Sequence, residues 1–444
     1  MEKNSRHKRW QRAPIVVGIL LSAAVGGMIY CSVTYGATPA SSASAAPKQD
    51  AKTASPTSTT EYRILGWNNL GMHCYNRDCS AIAVLPPYNT LWAQVVKVGD
   101  PPVIVTGGIK VEYSFPHNTY SAGKKGVPDK TNFWQYAGAL FNVQLPLNVG
   151  LAGKGLRGEM DLRGDHFVAE GIPLTEFTDS AARRKNTSSW IPSPYQLAQI
   201  VVRDSTTGEK LAANMVVAPV SSEMSCVNCH ADDGDATTSY PITPTGKVET
   251  NLLALHDYLN SGKYQPALMQ ARPVLCANCH ASAALGAPGQ AGISSLSNAM
   301  HNHHKNLPDI TPDTDGCYNC HPGPVTECLR CAMSQNFAIN CTTCHGTMDQ
   351  VCQNPSPWLN EPRCDNAKCH GSGYALNKPL YRESMGHGRI YCAGCHDSPH
   401  AIAKSRESND SIKFTLLQGH TGTLRECTVC HATMPSQAFV HGLQ

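Results

Sequence analysis

The chain has 444 residues, room for two or three domains, and its 16% charged and 41% hydrophobic residues argue against wholesale disorder and against a polytopic membrane protein. Cysteine is the outlier: of the 20, 17 lie between Cys226 and Cys430, a density foreign to an ordinary reduced cytosolic enzyme. The formal charge of +3 comes from the first 37 residues, where Lys3, Arg6, Lys8, Arg9 and Arg12 stand against Glu2. The rest has one more acidic than basic residue, which leaves no basic field for nucleic acid.

Residues 1–37 read as a signal sequence or membrane anchor. The basic start is followed by an uncharged, mostly apolar run over 13–30, extendable to 37. The run approaches the ~20 residues that span a bilayer, so a retained anchor through 13–35 is favoured over cleavage. Cys31 follows Ile29 and Tyr30, a poor lipid-attachment context. Either way the basic end stays cytoplasmic and the remainder is exported. That places it on the periplasmic side of the inner membrane if anchored, and otherwise in the periplasm or outside the cell. Residues 38–60, rich in Ala, Ser, Thr, Pro and Lys, read as a flexible linker.

Residues 61–221 read as a β-rich, sandwich-like domain without cofactor motifs. Ile109, Val111, Tyr113 and Phe115 alternate with polar residues, as a half-buried strand requires. Phe141, Val143 and Leu145 alternate likewise. The apolar runs 197–202 and 211–217 flank a turn at 204–208, a hairpin signal. Trp67, Trp92, Phe133 and Trp134 are expected in the core. Cys74 and Cys79 suggest a local disulfide, while the adjacent His73 is a candidate ligand reaching across the domain boundary.

From Cys226 onward one pattern recurs, and 222–444 reads as a loop-rich, short-helix multihaem cytochrome c domain. Cys226, Cys229 and His230 form the first C-x-x-C-H motif. Cys276, Cys279 and His280 form the second; Cys317, Cys320 and His321 the third; Cys341, Cys344 and His345 the fourth. The fifth has four residues between its thiols: Cys364, Cys369 and His370. Cys392, Cys395 and His396, then Cys427, Cys430 and His431, complete the seven. Two thiols add across the vinyl groups of one haem, and the following His turns onto the iron. Chance predicts roughly 0.04 C-x-x-C-H matches at this composition. Zinc does not require a His after every second Cys, and disulfides require none. Cys328, Cys331 and Cys352 lie outside the motifs and suggest one disulfide whose pairing the spacing leaves open.

The sixth iron position separates electron transfer from substrate chemistry. His256 shares an apolar stripe with Leu252, Leu255 and Leu259. His301 and His304 share a helical face within 294–305, with His303 off it. His387 and His400 flank the sixth motif, and His420 precedes the seventh. These six and His73 are the expected distal ligands, with His441 in reserve because chain ends fray. His117 and His166 read as structural or exposed. Met224, Met300, Met333, Met348, Met385 and Met434 lie near motifs and read as packing residues.

Several stretches together resemble a family of exported multihaem c-type cytochromes. They are Gly66-Trp67-Asn68-Asn69-Leu70-Gly71-Met72-His73-Cys74, Leu85-Pro86-Pro87-Tyr88-Asn89-Thr90-Leu91 and Lys130-Thr131-Asn132-Phe133-Trp134. Ala218-Pro219-Val220-Ser221-Ser222-Glu223-Met224, Gly386-His387-Gly388, Ser398-Pro399-His400-Ala401 and Gln418-Gly419-His420 extend the likeness. The family is largely uncharacterised and associated with bacteria that respire minerals or other insoluble acceptors. The resemblance implies a haem-free β domain followed by a multihaem electron-transfer domain. It also implies distal roles for His256, His301, His304, His387, His400 and His420. The wide fifth motif, Cys331 and Cys352 depart from the family pattern.

The expected function is a cytochrome with about seven covalent haems that conducts electrons across the cell envelope. Expected partners are other redox proteins of the envelope and extracellular or mineral acceptors. The alternative is a terminal reductase for nitrite, hydroxylamine or a sulfur oxyanion, with one open-site haem; no C-x-x-C-K motif is present. A third reading is self-assembly into a conductive filament. With about 32 residues per haem, the macrocycles are expected to form most of the core and the apo-domain to stay unfolded. Seven haems with two propionates each make the loaded protein acidic, which favours a basic patch on a docking partner.

Overall fold

Period-two alternation builds the first half of a computed structural model of the chain. The structure describes residues 61–444 except 124–126, 183–190, 264–265, 355, 375–376, 438–440 and 442–444. The expected export segment, Cys31 and the linker lie outside the described residues.

Two five-stranded sheets form here. One runs β1(Tyr62–Asn68), β4(Asn89–Lys97), β9(His166–Ile172), β8(Asp161–Arg163), with β5(Val103–Ile104) also on β4. The other runs β2(His73–Cys74), β11(Lys210–Ser221), β10(Tyr195–Asp204), β6(Ile109–Ser114), β7(Arg157–Glu159). The expected hairpin is β10–β11, antiparallel through Leu197↔Val217 and Ile200↔Asn214. β6 lies on its other edge, with Tyr113 opposite Ile200 and Val111 opposite Val202. Inward residues of both sheets, among them Ile64, Leu91, Val95, Val111, Ile200 and Val216, share one core. The sheets approach closely at Gly66, where a Cβ would stand 2.6 Å from Val216 Cγ2 and 3.0 Å from Ile200 Cδ1.

Trp67 and Phe133 are fully buried, as expected, and Trp92 and Trp134 are half-buried. The alternation at Phe141, Val143 and Leu145 does not make a strand. Phe141 ends α1(Phe133–Phe141), Asn142 takes the left-handed conformation (φ 53°), and the three side chains lean on a satellite cluster around Phe133 and Leu140. A local apolar pattern yields here to a helix whose own face already needs covering.

Past Ser221 there are short helices and loops. α2(Asp179–Ala182) precedes this half; within it run α3(Val227–His230), α4(Asp235–Thr238), α5(Val248–Leu259), α6(Leu296–His304), α7(Thr314–Tyr318), α8(Ala332–Phe337), α9(Cys341–His345), α10(Met348–Gln353), α11(Cys392–His396) and α12(Ile412–Gln418). No described helix is long and apolar enough to cross a membrane. A third small sheet pairs β3(Ile82–Ala83) with β12(Val274–Leu275) and ties the second motif to the β-rich half.

Further ties hold the two halves in one compact unit. The buried Lys413 ammonium donates to the carbonyls of Gly66 (2.9 Å) and Ala393 (3.0 Å). Gln94 receives the Tyr391 N–H (3.0 Å) and donates to the Arg389 carbonyl (3.1 Å). Ser398 donates to the Asn68 carbonyl at 2.6 Å. At Gly71 (φ +80°) any Cβ would collide with the Pro399 carbonyl, so the chain needs glycine there twice over.

Candidate cofactor site

Each C-x-x-C-H motif folds as a single helical turn. The His N–H donates to the carbonyl of the first Cys: His230 to Cys226 (2.8 Å), His280 to Cys276 (3.0 Å), His321 to Cys317 (2.9 Å) and His431 to Cys427 (2.9 Å). Residues i, i+3 and i+4 of such a turn share a face, so both thiols and the imidazole point the same way. In the wider fifth motif the His370 N–H reaches back to Cys364 across a longer loop, at 3.3 Å.

Six of the seven motif imidazoles face a second imidazole. The ring centroids are 6.4 Å apart for His230–His304 and for His256–His280. They are 6.1 Å apart for His301–His321, His345–His400 and His387–His431, and 5.8 Å for His396–His441. Two imidazoles on opposite faces of one metal, each bound at about 2 Å through nitrogen, have centroids about 6 Å apart. The spacing leaves room for one iron between each pair.

Protonation and tautomer suit that use. Burial, followed by the neighbouring imidazole, pushes His230, His321, His345 and His396 down to about 4, so these rings are neutral at neutral pH. Nδ1 is engaged by a backbone carbonyl in several rings: His280 with Ser294 (2.9 Å), His301 with Ser297 (2.8 Å) and His304 with Met300 (2.6 Å). That contact fixes the ring and leaves Nε2 as the donor for a metal.

The paired partners come from elements the sequence pattern foreshadowed. His256 lies on α5, whose Asn251 donates to the His230 carbonyl (2.9 Å) and so docks it on the first motif. α6 presents His301 to the third motif and His304 to the first, with His303 exposed. His400 follows Pro399 and has a left-handed backbone (φ 62°), held by the Arg330 N–H on its carbonyl at 2.9 Å. Arg330 is fully buried and bidentate to Asp410 at 2.7 and 2.9 Å.

His73 and His420 are not brought against a motif imidazole. His73 is buried on β2 beside Asn69 Oδ1 (3.2 Å). His420 pairs with Glu426 at 3.1 Å on the surface. The ring that faces His396 is His441. His166 stacks on Trp92 at 4.4 Å, and His117 is exposed.

Neighbouring motifs also lie close enough to influence one another, which gives them a spatial order. α5, packed on the first motif, carries the partner of the second motif's His280. Asn228 of the first donates to Asn319 of the third at 3.2 Å. The thiols of Cys317 and Cys341 share a hydrogen bond between the third and fourth. Cys344 neighbours Cys369, Cys364 neighbours Cys392, and Cys395 neighbours Cys430. The order is therefore second, first, third, fourth, fifth, sixth, seventh. A cavity of 4110 Å³ runs past the first five, several times the ~300–1,000 Å³ of a single small-molecule pocket.

The expected disulfides are not formed: every cysteine among the described residues is a free thiol, including Cys74, Cys79, Cys328, Cys331 and Cys352. Cys79 is instead buried against the Asn76 carbonyl (3.7 Å), and Cys328 lies 3.8 Å from His400 Nδ1. Among the described residues no group of three or more His, Cys, Asp or Glu gathers as a metal-ion cluster; the imidazoles stand in facing pairs. The donor set, the pair spacing and the cavity together can accommodate haem groups attached at the motif thiols. No family model matches the chain, and no curated protein or solved structure does.

Proposed function

We propose that 222–444 is a c-type multihaem domain with about seven covalent haems, and that the protein conducts electrons across the cell envelope. The observation that carries this reading is the facing of six motif imidazoles by six others at the spacing one iron needs. Each haem, when bound, supplies a one-electron iron couple. The chain's part is attachment by the fourteen motif cysteines, proximal ligation by His230, His280, His321, His345, His370, His396 and His431, and fixed order. An imidazole on each side would saturate an iron held between them, which suits electron transfer more than substrate chemistry.

In this reading 61–221 is a haem-free, sandwich-like domain that braces the array at the second, sixth and seventh motifs. The protein is exported and works with other redox proteins of the envelope, delivering to an extracellular or mineral acceptor. Intact-mass measurement of the exported protein tests the reading. The expected product carries seven tetrapyrroles bound through thioether bonds. A product without added tetrapyrrole overturns it.

A further inference from the structure

Apart from His7, every histidine of the chain is among the described residues, so the imidazoles can be accounted for one by one. Six motif histidines have facing partners. Of the rest, His73 sits against Asn69, His166 on Trp92 and Tyr391, and His420 against Glu426, while His117 and His303 are exposed. The motif imidazole left over is His370. The ring beside it is Tyr374, at 5.7 Å and 64°, which in turn meets His441 edge-on at 4.9 Å.

An independent feature sets the same motif apart: it is the one with four residues between its thiols. Its Cys369 and His370 are exposed where they line the cavity, as are Cys320, His321, Cys344 and His345 of the third and fourth motifs. Tyr374 is too close to His370 to occupy the opposite face of an iron held by it. A coaxial His–iron–Tyr arrangement needs about 8 Å between centroids, because the phenol oxygen stands well off its ring. A ring at that distance and tilt can instead stand beside a small ligand on such an iron and offer it a hydroxyl hydrogen bond.

We propose that the fifth site, at Cys364, Cys369 and His370, has an open sixth position that takes a small anionic donor from solution. Tyr374 donates a hydrogen bond to that ligand, and Lys368 within the motif supplies positive charge. The proposal rests on the haem reading above. The other sites are closed by imidazoles, so this motif is where the array meets small molecules. His441, on the sixth site and touching Tyr374, joins it to the rest.

The test uses the full-length protein matured with its haems, with cyanide as probe. Mass measurement first counts the haems. With seven present, ferric EPR and absorption spectra should show one high-spin haem in seven, and titration should consume one cyanide per chain. Tyr374→Phe should weaken cyanide binding roughly three- to tenfold without changing its stoichiometry. His441→Ala should raise the stoichiometry to two by opening the sixth site. Seven haems that are all low-spin and indifferent to cyanide overturn this proposal while leaving the haem reading intact. So does a product with the 364–370 motif unmodified. Cyanide affinity unchanged in Tyr374→Phe overturns the assignment to this motif. A protein with no haem at all sinks the underlying reading instead.

Discussion

The two halves of the described chain solve the problem of a core in opposite ways. Residues 61–221 bury most of the apolar side chains of the molecule, packed between two sheets. Residues 222–444 bury only about a dozen, although this half is longer. Where the first half has Ile, Val and Phe, the second has paired imidazoles around a large cavity. Hydrophobic burial drives folding roughly in proportion to apolar area removed from water. A segment that withholds that area depends on something other than its side chains to fold.

On the proposed reading, the largest effect should come from withholding haem. Expressed without haem attachment, the chain should keep hydrogen-exchange protection along β10 and β11 and lose it throughout 222–444. Native-like cooperative protection in the second half of such a protein would erase the contrast. Next comes a buried ion pair of the second half, whose guanidinium lies over the Tyr195 ring of the first. Arg330→Met strands Asp410 in a dry site and should cost about 3–5 kcal/mol in denaturant unfolding, with most recovered by adding Asp410→Leu. Equal losses in the single and double variants would show that the pair is not the cause.

Ile200→Ala sharpens the comparison from the other side. It empties a fully buried position between the sheets and should cost about 2–5 kcal/mol while leaving the low-spin absorption spectrum unchanged. His400→Met should do the reverse: little change in stability, but a raised midpoint for one haem in a redox titration. The smallest effect is expected at His420. Its pKa is raised by the Thr421 carbonyl first and then by Glu426, so any stabilisation is present below pH 6.5 and fades as pH rises through the folded value. His420→Ala should leave the spin state unaltered; a new high-spin signal would make His420 a ligand after all.

Much of the site was legible from local chemistry. A thiol, two spacers, a thiol and an imidazole describe one helical turn, and α5 and α6 follow from the apolar and histidine spacing that defines a helical face. The β10–β11 hairpin follows from alternation around a turn. Other features were hidden because their cause is not local. Phe141, Val143 and Leu145 alternate like a strand, yet α1 already claims the first of them. His441 stands only in reserve on the sequence because chain ends fray, and the neighbours that hold it, Tyr374 and His396, are distant in sequence. Nothing near Arg330 announces that Asp410, 80 residues on, will neutralise it.

What the residues determined unaided is the seven motifs, with their paired thiols and adjoining imidazoles, because these lie within a few positions of one another. What tertiary structure decided is which second imidazole faces each motif, the order of the motifs, and which motif imidazole faces none. Those choices depend on chain segments meeting across long separations, where packing and burial set the neighbours and sequence spacing carries no record of them.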